Sequence, residues 1–422
     1  MINGYVHPDF ADVAKVLQRQ LPKKTAGGAA ICVYHKGKKV VDIWGGTKNW
    51  TGAPWQEDTL AVSFSTTKGV TSTLLHILVN KGLADYDDPV SKYWPEFAQN
   101  GKEGITIRTA MSHQAGLYAV TEQLETSSDM LNWDQALKGM EEATPTHQPD
   151  SAHGYHGFNY GYLIGGLIEK ISGKKFQQVL KEELVDPLKL DGAFIGLPET
   201  ELHRRANLIG GGRRSDQFYL EGIMKLIENP LVKLLLKAFS LFTKKPNNFI
   251  RTFIFPFTDD KFCWNSPELS SAVQPAANGH FTARSLAKMY AALSLGGALD
   301  GVEILTPETV YKMSRVQNRK RDDVLFIPMH WRLGYHRVFA FGAPLKNGFG
   351  HFGFGGSGAW CDPERELSCA MTVNTGVGTP MGDTRMPILT SAVVKCVNRI
   401  EKYATDAPVF GAGELCAETS GV

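Results

Sequence analysis

The sequence predicts an α+β protein organised as an α/β/α sandwich. An antiparallel sheet built from both termini is flanked by helices, and a mostly helical lobe is inserted between its two halves. β-rich runs lie near both ends of the chain, at residues 27–46 and 329–374, whereas helical spacing of apolar residues dominates the middle. The 422 residues are enough for two lobes. A sheet that joins the two ends is the simplest arrangement of these elements.

These patterns predict two domains and a tail. Residues 1–84 and 285–410 form a discontinuous α/β domain, and residues 85–284 form a mostly helical domain. Residues 220–257 are a lid-like insertion in the helical domain. Residues 411–422 are predicted to be a loose tail.

The individual elements follow from the spacing of apolar residues. Two runs of β-favouring residues around the turn at 36–38 predict a hairpin, and apolar positions from Val70 to Val79 predict a helix that stops near Gly82. Helices are predicted at residues 9–20, 65–82, 106–117, 133–140, 158–171, 175–184, 275–293 and 386–403, with a short one starting at Thr306. Strands are predicted at residues 27–35, 40–46, 329–338, 348–352, 358–362 and 367–374.

The composition is that of an ordinary soluble globular protein, with 43% hydrophobic and 21% charged residues. The net charge of +2 gives no electrostatic reason to expect a nucleic acid as a partner. The N-terminus shows no basic region followed by an apolar one, so we expect a cytoplasmic protein without a signal peptide. The twelve histidines lack the spacing of metal ligands, so no metal is expected.

The six cysteines are scattered along the chain without a C-x-x-C pair. This pattern predicts mostly reduced residues in the core of a cytosolic protein. Cys361 and Cys369 lie on neighbouring predicted strands, where their side chains could face one another, so a disulfide between them is left open.

Residues 220–257 consist of short apolar runs interrupted by lysines. No run approaches the roughly 20 residues that a membrane-spanning helix needs, and we expect no firm membrane partner. Three interpretations stay open: a helix pair packed on the main body, a mobile lid over an apolar acyl pocket, or a helix on a membrane surface. We expect a lid or pocket wall.

Ser65 and Lys68 form an S-x-x-K pattern at the start of a predicted helix. Residues three apart share a helical face, so the hydroxyl and the amine can touch. Such contact turns a serine into a nucleophile with a neighbouring base. Alone the pattern is weak, because a capped helix start with a solvated lysine has the same residues.

Three further stretches are candidates for a site around Ser65. Tyr155 lies on a glycine-flanked turn. An adjacent ammonium would lower the pKa of its phenol, which could then exchange a proton with the serine. The alternative is a tyrosine with a purely structural packing role. The glycine-rich run 348–358 can approach a ligand closely and offer backbone N–H groups to an oxyanion, or be merely a loose hairpin. His113, in the stretch 112–117, is more consistent with a structural role.

Taken together, these motifs resemble the serine β-lactamase-like family, which includes class C β-lactamases, D-Ala-D-Ala carboxypeptidases and the β-lactamase-like carboxylesterases. The family's S-x-x-K motif falls on Ser65 and Lys68, its Y-x-N motif on residues 155–157, and its K-T-G motif on residues 351–353. Each motif is weak, but they follow the family's order between residues 27 and 374. The resemblance implies the β-lactamase/transpeptidase-like fold.

Departures from the family's motifs favour neutral esters. Gly157 replaces an asparagine and so removes an amide contact to a β-lactam side chain. His351 replaces a lysine, and a histidine with a pKa near 6.5 is mostly neutral at pH 7. Phe352 replaces a hydroxyl residue. The site is therefore expected to bind a substrate carboxylate less tightly than the family's usual site does, and to gain apolar surface from Phe352 and Phe354.

The resemblance implies a serine carboxylesterase that needs no cofactor. Ser65 attacks a short- to medium-chain ester, Lys68 and Tyr155 share the proton transfers, and backbone N–H groups of Ser65 and Phe354 form the oxyanion hole. The residues predicted to contact the substrate are Gly157, His351, Phe352, Gly353 and Phe354. β-Lactamase, D-aminopeptidase or acyltransferase activity, and a non-catalytic binding role, are the alternatives. A homodimer is left open.

Overall fold

The computed structural model describes most of the chain, namely residues 2–120, 124, 126–209, 248–253, 263–342, 345–375 and 382–406. Of the predicted insertion at 220–257 only residues 248–253 are described, and the predicted tail at 411–422 lies outside the described residues. The division into two domains stays a prediction.

The strands occur near both ends of the chain, with short ones between. They are β1 (Ile2–Val6), β2 (Gly28–His35), β3 (Lys38–Gly46), β4 (Ala61–Val62), β5 (Ala193–Phe194), β6 (His280–Phe281), β7 (Ala298–Leu299), β8 (Val302–Glu303), β9 (His336–Arg337), β10 (Phe349–Phe352), β11 (Gly358–Asp362) and β12 (Leu367–Val373).

Seven of these strands form one antiparallel sheet in the order β1-β3-β2-β12-β11-β10-β9. The N-terminal and C-terminal strands meet where β2 pairs with β12, from His35 opposite Leu367 to Ala29 opposite Val373. The predicted sheet from both termini is therefore confirmed. Its first strand, β1, was not predicted, because only its two end residues are even partly buried and the run lacks alternation.

Helices lie on both faces of the sheet. The helices of the described chain are α1 (Ala11–Gln20), α2 (Thr67–Asn80), α3 (Ile107–Met111), α4 (Trp133–Glu142), α5 (Asn159–Ser172), α6 (Phe176–Leu180), α7 (Asp186–Leu188), α8 (Asn248–Phe253), α9 (Pro267–Ser271), α10 (Ala283–Ser294), α11 (Pro307–Ser314) and α12 (Arg385–Asp406). Of these, α1 and α12 lie on one face of the sheet and α10 lies on the other. Among the described residues, no helix is both long and apolar enough to cross a membrane.

Two hydrophobic cores lie on opposite faces of the sheet. In β2, Ile31 and Val33 belong to the core that α1 and α12 cover, whereas Ala30 and Cys32 belong to the core shared with α2, α5 and α10. This alternation follows from the two-residue period of a strand. Burying one such aliphatic side chain stabilises the fold by about 1.5–3 kcal/mol.

The same alternation excludes the disulfide left open between Cys361 and Cys369. Cys361 pairs with Ser368 and Cys369 with Trp360, and the two thiols lie in different cores. Neither thiol forms a disulfide.

Several predicted elements are shorter than expected. The helix predicted over 275–293 begins only at Ala283, because His280 and Phe281 form strand β6. The helix predicted over 106–117 ends at Met111, since His113 has a φ of 61°, which an α-helix does not accommodate. The strand predicted over 329–338 is reduced to β9, because His330 and Gly334 take φ values of 51° and 82°. Gly334 must stay small, since a Cβ there would lie 2.0 Å from the Ser72 hydroxyl oxygen.

Candidate active site

Ser65 lies in a 3-10 turn, Phe64–Thr66, between β4 and α2. Phe64 has a φ of 44°, a conformation that costs a bulky residue about 1–3 kcal/mol. Its ring is held by Trp264, 4.7 Å away between ring centroids, and by Phe354, 5.4 Å away. Ser65 is half-buried while its neighbours from 61 to 70 are buried, so the turn presents one hydroxyl group to the outside.

Lys68, in the first turn of α2, is fully buried and points back to the serine. Its Nζ lies 3.1 Å from Ser65 Oγ and donates a hydrogen bond to the Ala276 carbonyl at 3.0 Å. No carboxylate of the described residues pairs with it. Burial disfavours the ammonium form, so the pKa of Lys68 lies well below its usual value. The lowered pKa increases the share of neutral amine, the form that can accept a proton.

Tyr155 completes the group from the other side, donating a hydrogen bond from its hydroxyl group to Ser65 Oγ at 2.7 Å. Burial raises the pKa of Tyr155 above its usual value, so the expectation of a lowered phenol pKa is wrong. The lysine nitrogen lies 4.9 Å from the centre of the tyrosine ring, in cation–π geometry. The phenol is protonated in the resting site.

Two residues that carry no motif hold Tyr155 in place. Its ring stacks on Trp331 with centroids 5.4 Å apart and planes 3° from parallel. Its backbone N–H donates to Asp322 Oδ1 at 3.1 Å, and the Trp331 indole N–H donates to Asp322 Oδ2 at 2.8 Å. Asp322 is fully buried and also accepts from the backbone N–H groups of Val324 and Leu325. Burial raises its pKa to about 6, so it is ionised at pH 7.

His113 and His156 form a packed support under the tyrosine. The ring of His113 lies 4.2 Å from Trp331 and 5.1 Å from Tyr155, centroid to centroid. His156 Nε2 accepts from the Leu117 backbone N–H at 3.0 Å, so its Nδ1 donates to the Gly154 carbonyl at 2.8 Å. Burial lowers the pKa of both histidines, which are neutral. This packing agrees with a structural role for His113.

His351 lies on β10 near the catalytic group, with its ring centroid 6.1 Å from that of Tyr155. Its Nδ1 donates to the Phe352 carbonyl at 3.0 Å, while its buried Nε2 has no partner. Burial, His336 and Lys68 lower its pKa well below the usual value. The position where the family motif has a cation is therefore electrically neutral.

Gly353 and Phe354 bring the end of β10 against the serine turn. A Cβ at position 353 would lie 2.2 Å from the Ser63 carbonyl oxygen, so only glycine permits this approach. Phe354 begins the next 3-10 turn, Phe354–Gly356, and its ring meets Phe64 edge to face. Both predicted residues are thus adjacent to Ser65.

Phe352 does not line this site, contrary to the prediction. Successive side chains of β10 alternate between faces, and Phe352 packs in the core under α12, whereas Phe349 belongs to the other core. The apolar surface near Ser65 comes from other residues.

Gly157 lies against helix α8, the described part of the predicted insertion. A Cβ at position 157 would lie 2.9 Å from both Thr252 Cγ2 and Phe253 Cε1. The Phe253 ring centroid is 6.0 Å from that of Tyr155. The space for the asparagine side chain of the Y-x-N motif is therefore filled by Thr252 and Phe253. The sequence could not show this contact, because the two segments are almost 100 residues apart.

Comparisons with known proteins agree with this geometry. A family model described as Beta-lactamase matches residues 13–392. The esterase/beta-lactamase LipL of Mycobacterium tuberculosis is 35% identical over 382 residues, covering 88% of this chain and 82% of that protein. The crystal structure of a family VIII carboxylesterase is 28% identical with a TM-score of 0.80, and a penicillin-binding protein homologue from Caulobacter crescentus is 31% identical with a TM-score of 0.78. Each covers 94% of this chain and 100% of the other. The predicted fold and family are confirmed, and the chain belongs to the β-lactamase family.

Proposed function

We propose that the protein is a serine carboxylesterase that cleaves neutral esters through an acyl-enzyme on Ser65. One observation carries the proposal: Ser65 Oγ lies 3.1 Å from the buried Lys68 amine and 2.7 Å from the Tyr155 hydroxyl group. An accessible hydroxyl between a base and an acid is the arrangement that acyl transfer needs.

In acylation, Ser65 Oγ attacks the ester carbonyl and gives its proton to the neutral amine of Lys68. The carbon–oxygen bond to the leaving alcohol breaks, and Tyr155 donates its proton to that oxygen. The acyl-enzyme then holds an ammonium at Lys68 and a phenolate at Tyr155. The lowered lysine pKa and the raised tyrosine pKa suit these roles as base and acid.

In deacylation, the Tyr155 phenolate takes a proton from water, and the hydroxide attacks the acyl carbonyl. The bond to Ser65 Oγ breaks, and Lys68 returns its proton to that oxygen. The carboxylic acid leaves, and all three groups regain their resting protonation. Backbone N–H groups of Ser65 and Phe354 would stabilise the oxyanion in both steps, each by roughly 3–4 kcal/mol.

The preference for neutral esters is supported by two features of the site. His351 is neutral, so it offers no fixed cation to the carboxylate that penicillins and cephalosporins carry. Thr252 and Phe253 occupy the space of the family's asparagine and supply an apolar wall beside Tyr155. A neutral acyl chain suits such a wall better than a polar amide.

β-Lactam hydrolysis is the second candidate, because LipL is named as both esterase and β-lactamase. Turnover of p-nitrophenyl butyrate beside a chromogenic cephalosporin separates the two. We expect kcat/KM for the ester to exceed that for the cephalosporin by at least tenfold, and the reverse order would overturn the ester preference. Added amines or alcohols report acyl transfer if their acyl products form faster than the free acid.

A further inference from the structure

A cavity of about 830 Å³, which Ser65, Lys68 and Tyr155 do not line, lies at the end of the sheet that holds β9 and β10. Phe352, whose side chain leaves the catalytic face of β10, lines it. We call this cavity the arginine groove. Its cationic residues are Arg319, Arg332, Arg337 and Lys346, joined by His330. Its volume falls in the range of small-molecule sites, about 300–1,000 Å³.

The cations of the arginine groove have no counter-charge among the described residues that line it. None of its lining residues is an aspartate or a glutamate. Within the described part of the chain, none of the four cations forms an ion pair. Arg332 is fixed by bonds to the carbonyls of Ser314 and Lys346, so Arg319, Arg337 and Lys346 are left to meet a ligand.

Arg337 gives the strongest evidence that the groove binds an anion. Its Nε is buried and has no hydrogen-bond partner, while its guanidinium lies 4.8 Å from the centre of the Phe339 ring. A buried donor without an acceptor is unfavourable unless a ligand provides one. Burial lowers the pKa of His330 in the same groove, and the charges of Arg337, Arg319 and Arg332 lower it further. The electrostatic field in the groove is therefore positive.

Most of the remaining lining is apolar. The wall beside the cations is formed by Phe339, which is half-buried, and by Ile327 and Phe341, which are 39% and 57% exposed. A guanidinium fork binds a carboxylate through two parallel hydrogen bonds, and an apolar wall favours a hydrocarbon chain. The groove thus combines an anion-binding end with a surface for a chain.

We propose that the arginine groove binds a long-chain carboxylate. The head group lies on Arg337 and Arg319, and the chain lies along Ile327, Phe339 and Phe341. This binding is non-covalent and does not depend on the hydrolase reaction proposed above, so the two proposals can fail separately.

The test is calorimetric titration of the full chain, carrying Ser65→Ala, with laurate below its micelle concentration. Laurate should bind at least tenfold more tightly than dodecanol, and the double change Arg319→Gln with Arg337→Gln should weaken laurate binding at least tenfold. Arg19→Gln with Lys23→Gln removes the same charge from exposed positions that do not line the groove and should leave binding unchanged. The groove change on the wild-type background should keep p-nitrophenyl butyrate turnover.

Three results would overturn the proposal. The first is equal affinity for dodecanol and laurate, and the second is an equal loss of laurate affinity in both double variants. The third is a groove change that weakens binding to anionic vesicles but not to laurate, which would indicate a membrane head group as the ligand. Should the groove variant fail to fold, the salt dependence of the Ser65→Ala chain decides. Laurate affinity should fall as salt rises while dodecanol affinity stays constant, because salt screens charges at the surface. A salt-independent laurate affinity would also overturn the proposal.

Discussion

Asp322 holds Tyr155 through its backbone and through the ring on which it stacks. One carboxylate oxygen accepts the Tyr155 backbone N–H at 3.1 Å, and the other accepts the Trp331 indole N–H at 2.8 Å. The Trp331 ring in turn lies parallel to the phenol ring. The buried Asp322 side chain therefore fixes both the position and the orientation of the phenol that contacts Ser65.

Asp322→Asn should lower kcat for p-nitrophenyl butyrate by about tenfold or more while KM changes little, since small displacements of a catalytic group can cost up to a hundredfold. The asparagine oxygen can still accept from the backbone N–H groups. Its NH₂ group, however, faces the Trp331 indole N–H, and two donors cannot form a hydrogen bond. The matched control is Asp323→Asn, its half-buried neighbour, which should keep wild-type kcat. Equal effects of both changes, or a loss expressed in KM, would exclude this positioning role.

The raised pKa of Asp322 predicts a pH-dependent stability. Its pKa is about 6 in the folded chain and near 3.8 when unfolded, so the folded state binds more protons between these values. This contribution is fully present below pH 3.8 and is lost as pH rises through 6, on the order of 2–3 kcal/mol. Urea unfolding at pH 4.5 and pH 7 should show it in the wild type and not in Asp322→Asn. The same pH dependence in both proteins would refute the assignment.

Lys68 predicts the pH dependence of catalysis. The base form is the neutral amine, so kcat/KM should rise with pH and level off well below pH 10.5, because burial lowers the pKa of Lys68. Lys68→Arg places a permanent cation there that cannot lose its proton, and should cost roughly 10²–10⁴-fold in kcat. A pH–rate profile of the wild type that keeps rising to pH 10.5 would contradict the account, as would an active arginine variant.

The contact between Gly157 and α8 predicts a specificity change. Gly157→Asn should destabilise the fold by about 1–3 kcal/mol, because its Cβ would lie 2.9 Å from Thr252 and Phe253. Adding Thr252→Ser and Phe253→Ala should restore stability and raise cephalosporin turnover relative to ester turnover, measured as a ratio of kcat/KM.

The control for that series is Gly173→Asn, at a C-cap with φ of 67° and open space around it, which asparagine tolerates. It should leave stability and both turnover rates unchanged. If the triple variant stays as unstable as Gly157→Asn alone, the packing against α8 does not explain the glycine.

Periodicity was enough to predict the sheet from both termini and the approach of Lys68 to Ser65, since both depend on local spacing. Periodicity could not predict features that depend on packing between residues far apart in the sequence. The sign of the Tyr155 pKa shift follows from burial, which no local pattern reports. Phe352 was assigned to the wrong face, because a motif gives no strand register. Asp322 stands in a polar run and has no motif, so only the folded chain reveals its contact with Tyr155.

The central claim is that Ser65 is the nucleophile, and fluorophosphonate labelling tests it most directly. The wild-type chain should form one stoichiometric adduct, located on Ser65 by peptide mass spectrometry, as p-nitrophenyl butyrate turnover is lost in parallel. Ser65→Ala should neither label nor turn over ester, while keeping the wild-type unfolding curve. An adduct at another residue, or equal labelling of Ser65→Ala, would contradict the account.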